Sequence, residues 1–314
     1  MKKFYQKIAL FSMGLALIFL IVALIPIDKR LRYQNLENDC FNQGIWIHDR
    51  IFLNPRPIDI AFIGSSHTIN GINDELIESN IQGQNLKVAN LGYCRLGRNF
   101  SYSLVKDILK SKKPKWIIIE VREDEDRYSH PIFPYIADEK DVFLPYLLFN
   151  RDFINDYYHA FLYKLQLLQD AACKKDKYVP ERKNNYGFAS SQDTASSELL
   201  NEYKLKRSKP KPKLSQFQKN FYMVYPRRYL KKINTLVKEQ HGFILFLYFP
   251  SYGSNLDKPL EYDTYKEYGE VLIPPKEIFN DQNNWYNENH LNKTGANALT
   301  NWLSEQINRM ETGT

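Results

Sequence analysis

Residues 58–72 read IDIAFIGSSHTINGI, and this stretch decides the fold. Its first six residues are mainly β-branched or aromatic and are followed by Gly64, which is typical of a short buried strand. The polar turn after the strand leads into a predicted helix from Ile72 to Asn80. Because ligands bind at the carboxyl ends of strands in open α/β sheets, this turn is the first candidate for a functional site.

The same alternation of strand and helix continues along the chain. Further strands are predicted at Leu86–Asn90, Trp116–Val121 and Phe243–Phe249, and helices at Asn99–Lys110 and about Thr294–Met310. Apolar strands joined by crossovers imply a mainly parallel sheet with helices on both faces. We therefore predict an α/β fold, built as a three-layer α/β/α sandwich.

An almost unbroken apolar run, Ile8–Ile27, lies near the N-terminus. As a helix it would be about 30 Å long, the thickness of a hydrocarbon core. No small-x-small cleavage site follows it, so residues 1–30 are predicted to be an uncleaved transmembrane anchor rather than a signal peptide. Basic residues flank the run on both sides, but a short basic N-terminus before a single anchor favours an extracytoplasmic domain. The expected location is the inner (cytoplasmic) membrane, with a single pass.

The remainder of the chain divides into a stem and one domain. Residues 31–57 are predicted to be a stem packed on the domain, and residues 58–314 the domain itself. An insertion is expected at about residues 129–239. Within it, Val142–Leu168 is aromatic-rich and predicted to be helical, whereas Lys174–Lys213 is polar and predicted to be a mobile surface loop.

The positive charge of the chain is concentrated in one segment. The 314 residues carry a formal net charge of +7, but Lys204–Lys232 contains 11 Lys and Arg and no acidic residue. Without that segment, 32 basic residues face 36 acidic ones. Interleaved aromatic residues would suit single-stranded nucleic acid, anionic lipid or polysaccharide, or a solvated helix face. Because an extracytoplasmic domain rarely meets nucleic acid, none is expected as a partner.

The cysteines and histidines do not predict a metal site. Cys40, Cys94 and Cys173 are far apart and form no C-x-x-C pair, although a single disulfide stays open. The other histidines show no ligand spacing with one another; they are His48, His130, His159 and His241. We therefore expect neither a metal nor a cofactor.

A second motif lies just before the last predicted helix. The sequence from Asn287 to Ala296 reads NENHLNKTGA, and a histidine in such a loop can reach the turn after the first strand. There His290 would take the proton of a serine in the GSSH turn, whose neighbouring main-chain N–H groups suit an oxyanion. Taken singly, each motif is also compatible with a plain helix cap, but the pair in this order is more specific.

With these two motifs the chain resembles the SGNH (GDSL-like) hydrolase superfamily over about residues 58–310, with a gap at the insertion. The resemblance implies that Ser66 is the nucleophile, with Ser65 in the aspartate position of the first block, and that His290 is the base. The N-x-G block is matched by Asn90-Leu91-Gly92. It implies an oxyanion or substrate-binding role for Asn90, Gly92 and the loop up to Gly97, where Arg95 replaces the usual glycine.

The chain departs from the family pattern in two places. The aspartate three residues before the histidine is Asn287, which can orient the imidazole but cannot stabilise its charged form. The G-x-N-D block is missing, and the third strand instead runs into the acidic segment 120–127. One carboxylate there could supply the missing anion, but a solvated acidic loop paired with Arg122 and Arg127 is the preferred interpretation. His67 is expected to cap the helix or line the pocket.

The resemblance implies a membrane-anchored serine esterase or O-acyltransferase of a bacterial cell envelope. Its substrate would be an acylated glycan or another ester of envelope or exported polysaccharide, and a membrane-bound O-acyltransferase is a partner that the architecture allows. The alternative is a catalytically degenerate domain that binds glycan or scaffolds an envelope complex. Asn287 favours the alternative, whereas Ser66 and His290 favour catalysis.

Overall fold

The structure is a computed structural model of the whole chain. It describes residues 1–34, 36, 43–81, 85–143, 150–173, 185–209 and 214–312. All statements on structure concern these residues.

The sheet of the domain has five strands, all parallel, in the order β2-β1-β3-β4-β5. The strands are β1 (Ile60–Ile63), β2 (Val88–Asn90), β3 (Trp116–Val121), β4 (Phe243–Tyr248) and β5 (Glu270–Leu272). The α/β class with a parallel sheet is confirmed. The prediction missed β5, because it has three residues, begins with the exposed Glu270 and lacks the apolar run that marks the other strands.

The helices connect the strands and extend the chain at both ends. In chain order they are α1 (Lys2–Leu24), α2 (Lys29–Gln34), α3 (Gln43–Phe52), α4 (Ser66–Gly71), α5 (Asp74–Asn80), α6 (Arg98–Ser111), α7 (Phe133–Ile136), α8 (Glu139–Phe143), α9 (Phe153–Ala172), α10 (Ser197–Ser208), α11 (Gln216–Glu239), α12 (Tyr262–Lys266), α13 (Lys276–Asn280) and α14 (Lys293–Thr312), with a 3₁₀ turn at Gln282–Asn284.

Alternate residues of the strands enter two separate apolar clusters. In β1, Ala61 and Ile63 pack with residues of α3, α6 and α11. Ile60 and Phe62 pack with residues of α5 and α14 instead. Since both faces of β1 are buried, its uninterrupted apolar sequence is what a parallel strand requires. The same packing holds the carboxyl ends of β1 and β3 in place, and the candidate site lies there.

The prediction of a mobile loop over Lys174–Lys213 is wrong where the structure describes that segment. Residues 197–208 form α10, which Ser196 caps and which buries Leu200. Before it, the main-chain N–H groups of Gly187 and Phe188 donate to the buried carboxylate of Asp74. Capping and buried contacts therefore order a stretch whose composition alone reads as a loop; residues 174–184 and 210–213 lie outside the described residues.

The N-terminal helix α1 is the described helix that is long and apolar enough to cross a membrane. Most of its side chains are exposed, and only Val22 and Ala23 are buried. The stem assigned to residues 31–57 includes α3, whose Trp46, Ile47 and Ile51 belong to the core of the domain.

Candidate functional site

The nucleophile candidate stands on a short turn between β1 and α4. Ser66 is the first residue of α4 and is partly exposed, whereas Ser65 before it is buried and caps the helix by accepting from the N–H of His67 at 3.1 Å. A Cβ at Gly64 would overlap Thr68 Oγ1 and the carboxylate of Glu120, so that position accepts only glycine. The turn is therefore tightly held beneath Ser66.

Glu120, at the end of β3, holds this turn from below. Its carboxylate accepts from the N–H of Ser65 at 2.7 Å, from Ser65 Oγ at 2.8 Å and from Thr68 Oγ1 at 2.7 Å. Only 2% of the Glu120 surface is exposed. A second carboxylate of the same segment, Glu125, is also buried and pairs with Arg98.

The preferred interpretation of the segment 120–127 as a solvated acidic loop is wrong for Glu120 and Glu125, whereas Asp124 is exposed and Arg122 lies 3.7 Å from Glu123. Glu120 and Glu125 are both buried, and each is satisfied by donors that approach from other elements. A buried carboxylate is tolerated only when its lone pairs are satisfied in this way. In the sequence, Glu120 is a single acidic residue within the apolar strand β3. Its burial could have been predicted only with the knowledge that both faces of the sheet are covered.

The base candidate lies in a tight loop ahead of α14. Trp285 and Leu291 form an antiparallel bridge that closes the loop, and the N–H of Tyr286 donates to the carbonyl of His290 at 2.9 Å. Trp285 is completely buried, so the loop is fixed to the body of the domain. Asn292 then caps α14 through the N–H of Gly295.

Asn287 fixes the ring of His290. The Asn287 side-chain oxygen accepts from His290 Nδ1 at 3.0 Å and from the main-chain N–H groups of Asn289 and His290 at 3.0 and 2.9 Å. Because both main-chain groups are donors, the amide oxygen, not the nitrogen, faces the ring. His290 therefore carries its proton on Nδ1, which leaves Nε2 as an acceptor.

Ser66 and His290 meet directly across the site. Ser66 Oγ lies 2.7 Å from His290 Nε2, although 224 positions separate the two residues in the chain. With Nδ1 protonated, the hydroxyl is the donor and Nε2 the acceptor, which is the arrangement that a general base needs. The structure thus brings together Ser66, His290 and Asn287.

Arg122 is the cation that acts on the pKa of His290. Burial and the Arg122 charge lower the pKa of His290 below its usual range, with Glu120 and Glu288 acting in the opposite direction. Arg122 also donates to His67 Nδ1 at 2.9 Å and to Ser251 Oγ at 2.6 Å. A neutral His290 at physiological pH follows from this environment.

His67 is a buried neighbour of the pair. Its ring centroid lies 5.0 Å from that of His290, and burial followed by the Arg122 charge lowers its pKa well below the usual value. Because Nδ1 accepts from Arg122, the proton of neutral His67 is on Nε2, for which the described residues offer no acceptor. His67 caps nothing itself; its main-chain N–H is instead the group that Ser65 caps.

The N-x-G block lies beside the nucleophile turn. Asn90 is fully buried; its Nδ2 donates to the carbonyls of Thr68 and Ile72, and its Oδ1 accepts from the N–H of Gly92 at 3.1 Å. Asn90 therefore ties β2 to α4, and the N–H of Gly92 is already engaged. The role of Gly92 as an oxyanion donor stays a prediction.

Arg95 lies in the loop that follows. It is exposed and has a φ of 66°, in the region that glycine favours. His130 supports the loop by donating from Nε2 to the carbonyl of Cys94 at 2.6 Å. The described residues show no contact of Arg95 with Ser66 or His290, so its substrate-binding role also stays a prediction.

The insertion contributes one side chain that sequence reasoning missed. Arg207 of α10 donates to Asn289 Oδ1 at 3.1 Å and lies 3.6 Å from Glu123. It belongs to the basic segment Lys204–Lys232, and nothing in the sequence predicts its contact with the loop that carries His290. In the same segment, Tyr225 and Tyr229 are buried in the core, so these two rings cannot stack on nucleic-acid bases.

The described residues show neither a metal-binding cluster nor a second free cysteine beside Cys173. Among the described residues, no group of three or more His, Cys, Asp or Glu side chains is placed to hold a metal ion. Cys94 is disulfide-bonded and Cys173 is free and exposed, whereas Cys40 lies outside the described residues.

No protein-family model, curated protein or solved structure matches this chain. The functional interpretation therefore depends on the geometry of the site.

Proposed function

We propose that the chain is a membrane-anchored SGNH-type serine esterase or O-acyltransferase that acts on acyl esters of cell-envelope or exported polysaccharide. The observation that carries the proposal is the 2.7 Å contact between Ser66 Oγ and His290 Nε2, with Asn287 holding the imidazole in the tautomer of a base. The five-stranded parallel sheet places this pair at the carboxyl ends of its strands, as in other open α/β sheets.

The reaction has two acyl-transfer steps. Ser66 Oγ attacks the carbonyl carbon of the ester while His290 Nε2 takes the hydroxyl proton, and the tetrahedral intermediate collapses when the departing alcohol recovers that proton from His290. An acyl-Ser66 ester remains. A sugar hydroxyl or water then attacks it, gives its proton to His290, and leaves with the acyl group as Ser66 is protonated again.

The oxyanion needs donors beside Ser66. The main-chain N–H of Ser66 makes no hydrogen bond within the described part of the chain and is the first donor. The second donor in the proposal is the N–H of Gly92, which would exchange its bond with Asn90 for one to the oxyanion. Arg122 adds positive charge near the site, which favours a developing anion.

The architecture in the proposal is a three-layer α/β/α sandwich carried by one transmembrane helix, α1. The two apolar clusters on opposite faces of β1 support the layers, and the length and exposure of α1 support the anchor. The disulfide at Cys94 supports a domain outside the cytoplasm, since disulfides persist in oxidising compartments. The partners in this proposal are an acylated glycan, the inner membrane and a membrane-bound O-acyltransferase.

A second candidate function is a degenerate SGNH-like domain that binds glycan or scaffolds an envelope complex. The observation that favours it is Asn287, because an amide leaves the imidazolium of the intermediate without a hydrogen-bonded anion. The two candidates differ in turnover alone, so turnover is what the experiment must measure.

The test is an ester assay on the full-length protein in lipid nanodiscs. An aryl acetate is offered with and without an oligosaccharide acceptor, and release of the phenol and acetylation of the acceptor are both followed. We expect phenol release that Ser66→Ala and His290→Ala each abolish; acceptor acetylation identifies a transferase and free acetate an esterase. Release at the same rate in Ser66→Ala, or none in the wild type, would contradict catalysis and leave the binding function.

A further inference from the structure

Helix α9 of the insertion has an apolar face with no described partner. Its exposed side chains include Ile154, Tyr158, Leu162 and Leu165, of which Ile154 is 80% exposed. Their spacing of four, four and three residues places them on one side of the helix. Of the three charged side chains of α9, Asp156 and Lys164 are buried and Asp170, near the end of the helix, is half-buried, so none lies among the four exposed apolar residues. Water is a poor solvent for such a face.

The neighbouring α10 provides the contrast within the same insertion. It also has exposed leucines, among them Leu205 at 68%, but charged side chains such as Glu202, Lys204 and Lys206 surround them. Single exposed apolar residues among charges are ordinary on a protein surface. The face of α9 differs because its apolar residues are continuous.

The face of α9 lies beside the end of the candidate membrane span. Phe19 of α1 stacks on Phe161 at 4.5 Å and on Tyr157 at 5.7 Å between ring centroids. One turn further along both helices, Lys164 Nζ donates to the carbonyl of Ala23 at 2.6 Å. The two helices therefore run in the same direction here. Phe161, which contacts α1, is followed in the chain by Leu162 of the exposed face.

These contacts give the face a depth relative to α1. Phe19 lies five residues before Leu24, the last residue of α1, which corresponds to about 7.5 Å along a helix. Interfacial helices bury their apolar side roughly 5–10 Å into the boundary between headgroups and acyl chains. Tyr157 and Phe161 therefore lie at the level of Phe19, and Tyr158 and Leu162 of the exposed face are their neighbours in the chain.

The polar groups at this end of the chain lie on the side of the domain. Lys29 pairs with Asp107, and Arg32 donates to the carbonyl of Ala137, so the residues just after α1 are bound to the domain. Lys29 and Arg32 lie six and nine positions after Ala23, so the chain changes from the apolar surface of α1 to charges bound to the domain soon after α1 ends.

We propose that the exposed face of α9, made of Ile154, Tyr158, Leu162 and Leu165, lies in the lipid bilayer beside α1 as a second membrane contact of the domain. The inference rests on the proposed role of α1 as an anchor. Because α1 is bound to the domain, a single transmembrane helix would let the two tilt together in the bilayer, whereas a second contact limits that tilt. The ligand of the face is bilayer lipid, at the boundary between headgroups and acyl chains.

The test measures the lipid contact of single labelled positions in the full-length protein. In a Cys173→Ser background, Ile154→Cys, Ile18→Cys and Leu205→Cys are each labelled with an environment-sensitive fluorophore and reconstituted in phosphatidylcholine vesicles. These side chains are 80, 59 and 68% exposed, so labelling does not disturb the core. Spin-labelled phosphatidylcholine is then added as the quencher.

We expect roughly twofold quenching at Ile154→Cys and Ile18→Cys and none at Leu205→Cys, because only the first two positions touch lipid. Quenching at Ile18→Cys without quenching at Ile154→Cys would overturn this inference and leave the anchor in place. Absence of quenching at both positions would overturn the anchor as well. The two failures are therefore distinguishable.

Discussion

The two residues of the candidate catalytic pair, Ser66 and His290, are held by different chemistry. The turn of Ser66 rests on a buried carboxylate, since Glu120 accepts three hydrogen bonds from Ser65 and Thr68. The loop of His290 is held by neutral Asn287 and by Arg207 from the insertion. The negative charge of the site thus lies beneath the serine and not behind the histidine. In this chain a buried charge positions Ser66, and an amide fixes the tautomer of His290.

The largest expected effect comes from neutralising the charge beneath the serine. Glu120→Gln turns one acceptor oxygen into a donor that faces Ser65 or Thr68, which leaves a buried group unpaired. The expected loss is about 3 kcal/mol in the free energy of unfolding and on the order of 100-fold in kcat for the acetyl ester. Denaturant unfolding and the ester assay measure the two effects, with the exposed Glu198→Gln as control. A variant as stable and active as the control would show that Glu120 does not position the turn.

The next largest effect is expected from placing a carboxylate beside Nδ1 of His290. Asn287→Asp keeps the bond to His290 Nδ1 and stabilises the imidazolium, so kcat should rise by about tenfold or more. Asn289→Asp adds the same charge to the same loop without touching the ring, and its kcat should stay within about twofold. If Asn287→Asp is no faster than Asn289→Asp, the amide behind His290 does not limit the base.

A smaller effect is expected in the pH dependence of kcat/KM. His290 must be neutral to accept the proton, and burial together with Arg122 lowers its pKa, so the acid limb should lie below the usual histidine value of about 6.5. Arg122→Gln removes the cation, so the pKa of His290 rises and the limb moves to higher pH. A limb that stays in place or moves to lower pH would contradict this role of Arg122.

The smallest effect is expected from the insertion side of the base loop. Arg207 touches Asn289 and is partly exposed, and the charges that shift the pKa of His290 are those of Arg122, Glu120 and Glu288. Arg207→Gln should therefore cost less than about 1 kcal/mol of stability and leave the acid limb where it is. This variant is the matched control for Arg122→Gln, and an equal shift of the limb in both would remove the distinction between the two arginines.

The parts of the fold and site that sequence predicts are those with a local pattern. The strands β1 and β4 are continuous apolar runs and β3 is one up to Glu120, while the GSSH turn and the NENH loop each precede a helix and carry the family resemblance from which Ser66 and His290 are predicted. The contacts of Glu120 and Arg207 depend on tertiary packing: one crosses from β3 to the first turn, and the other joins α10 to a loop 82 positions away. A local sequence pattern cannot predict contacts between residues so far apart in the chain. The strand β5 is missed for another reason, because it is short and begins with the exposed Glu270.

The most direct test of the account is covalent labelling of Ser66. Full-length wild type, Ser66→Ala, Ser65→Ala and His290→Ala are treated with a fluorophosphonate, and the adduct is located by peptide mass spectrometry. We predict one adduct on Ser66 in the wild type, none in Ser66→Ala, and labelling slowed by about 100-fold or more in His290→Ala, because the hydroxyl then lacks its base. An adduct that persists in Ser66→Ala, or labelling independent of His290, would contradict the proposed nucleophile and base.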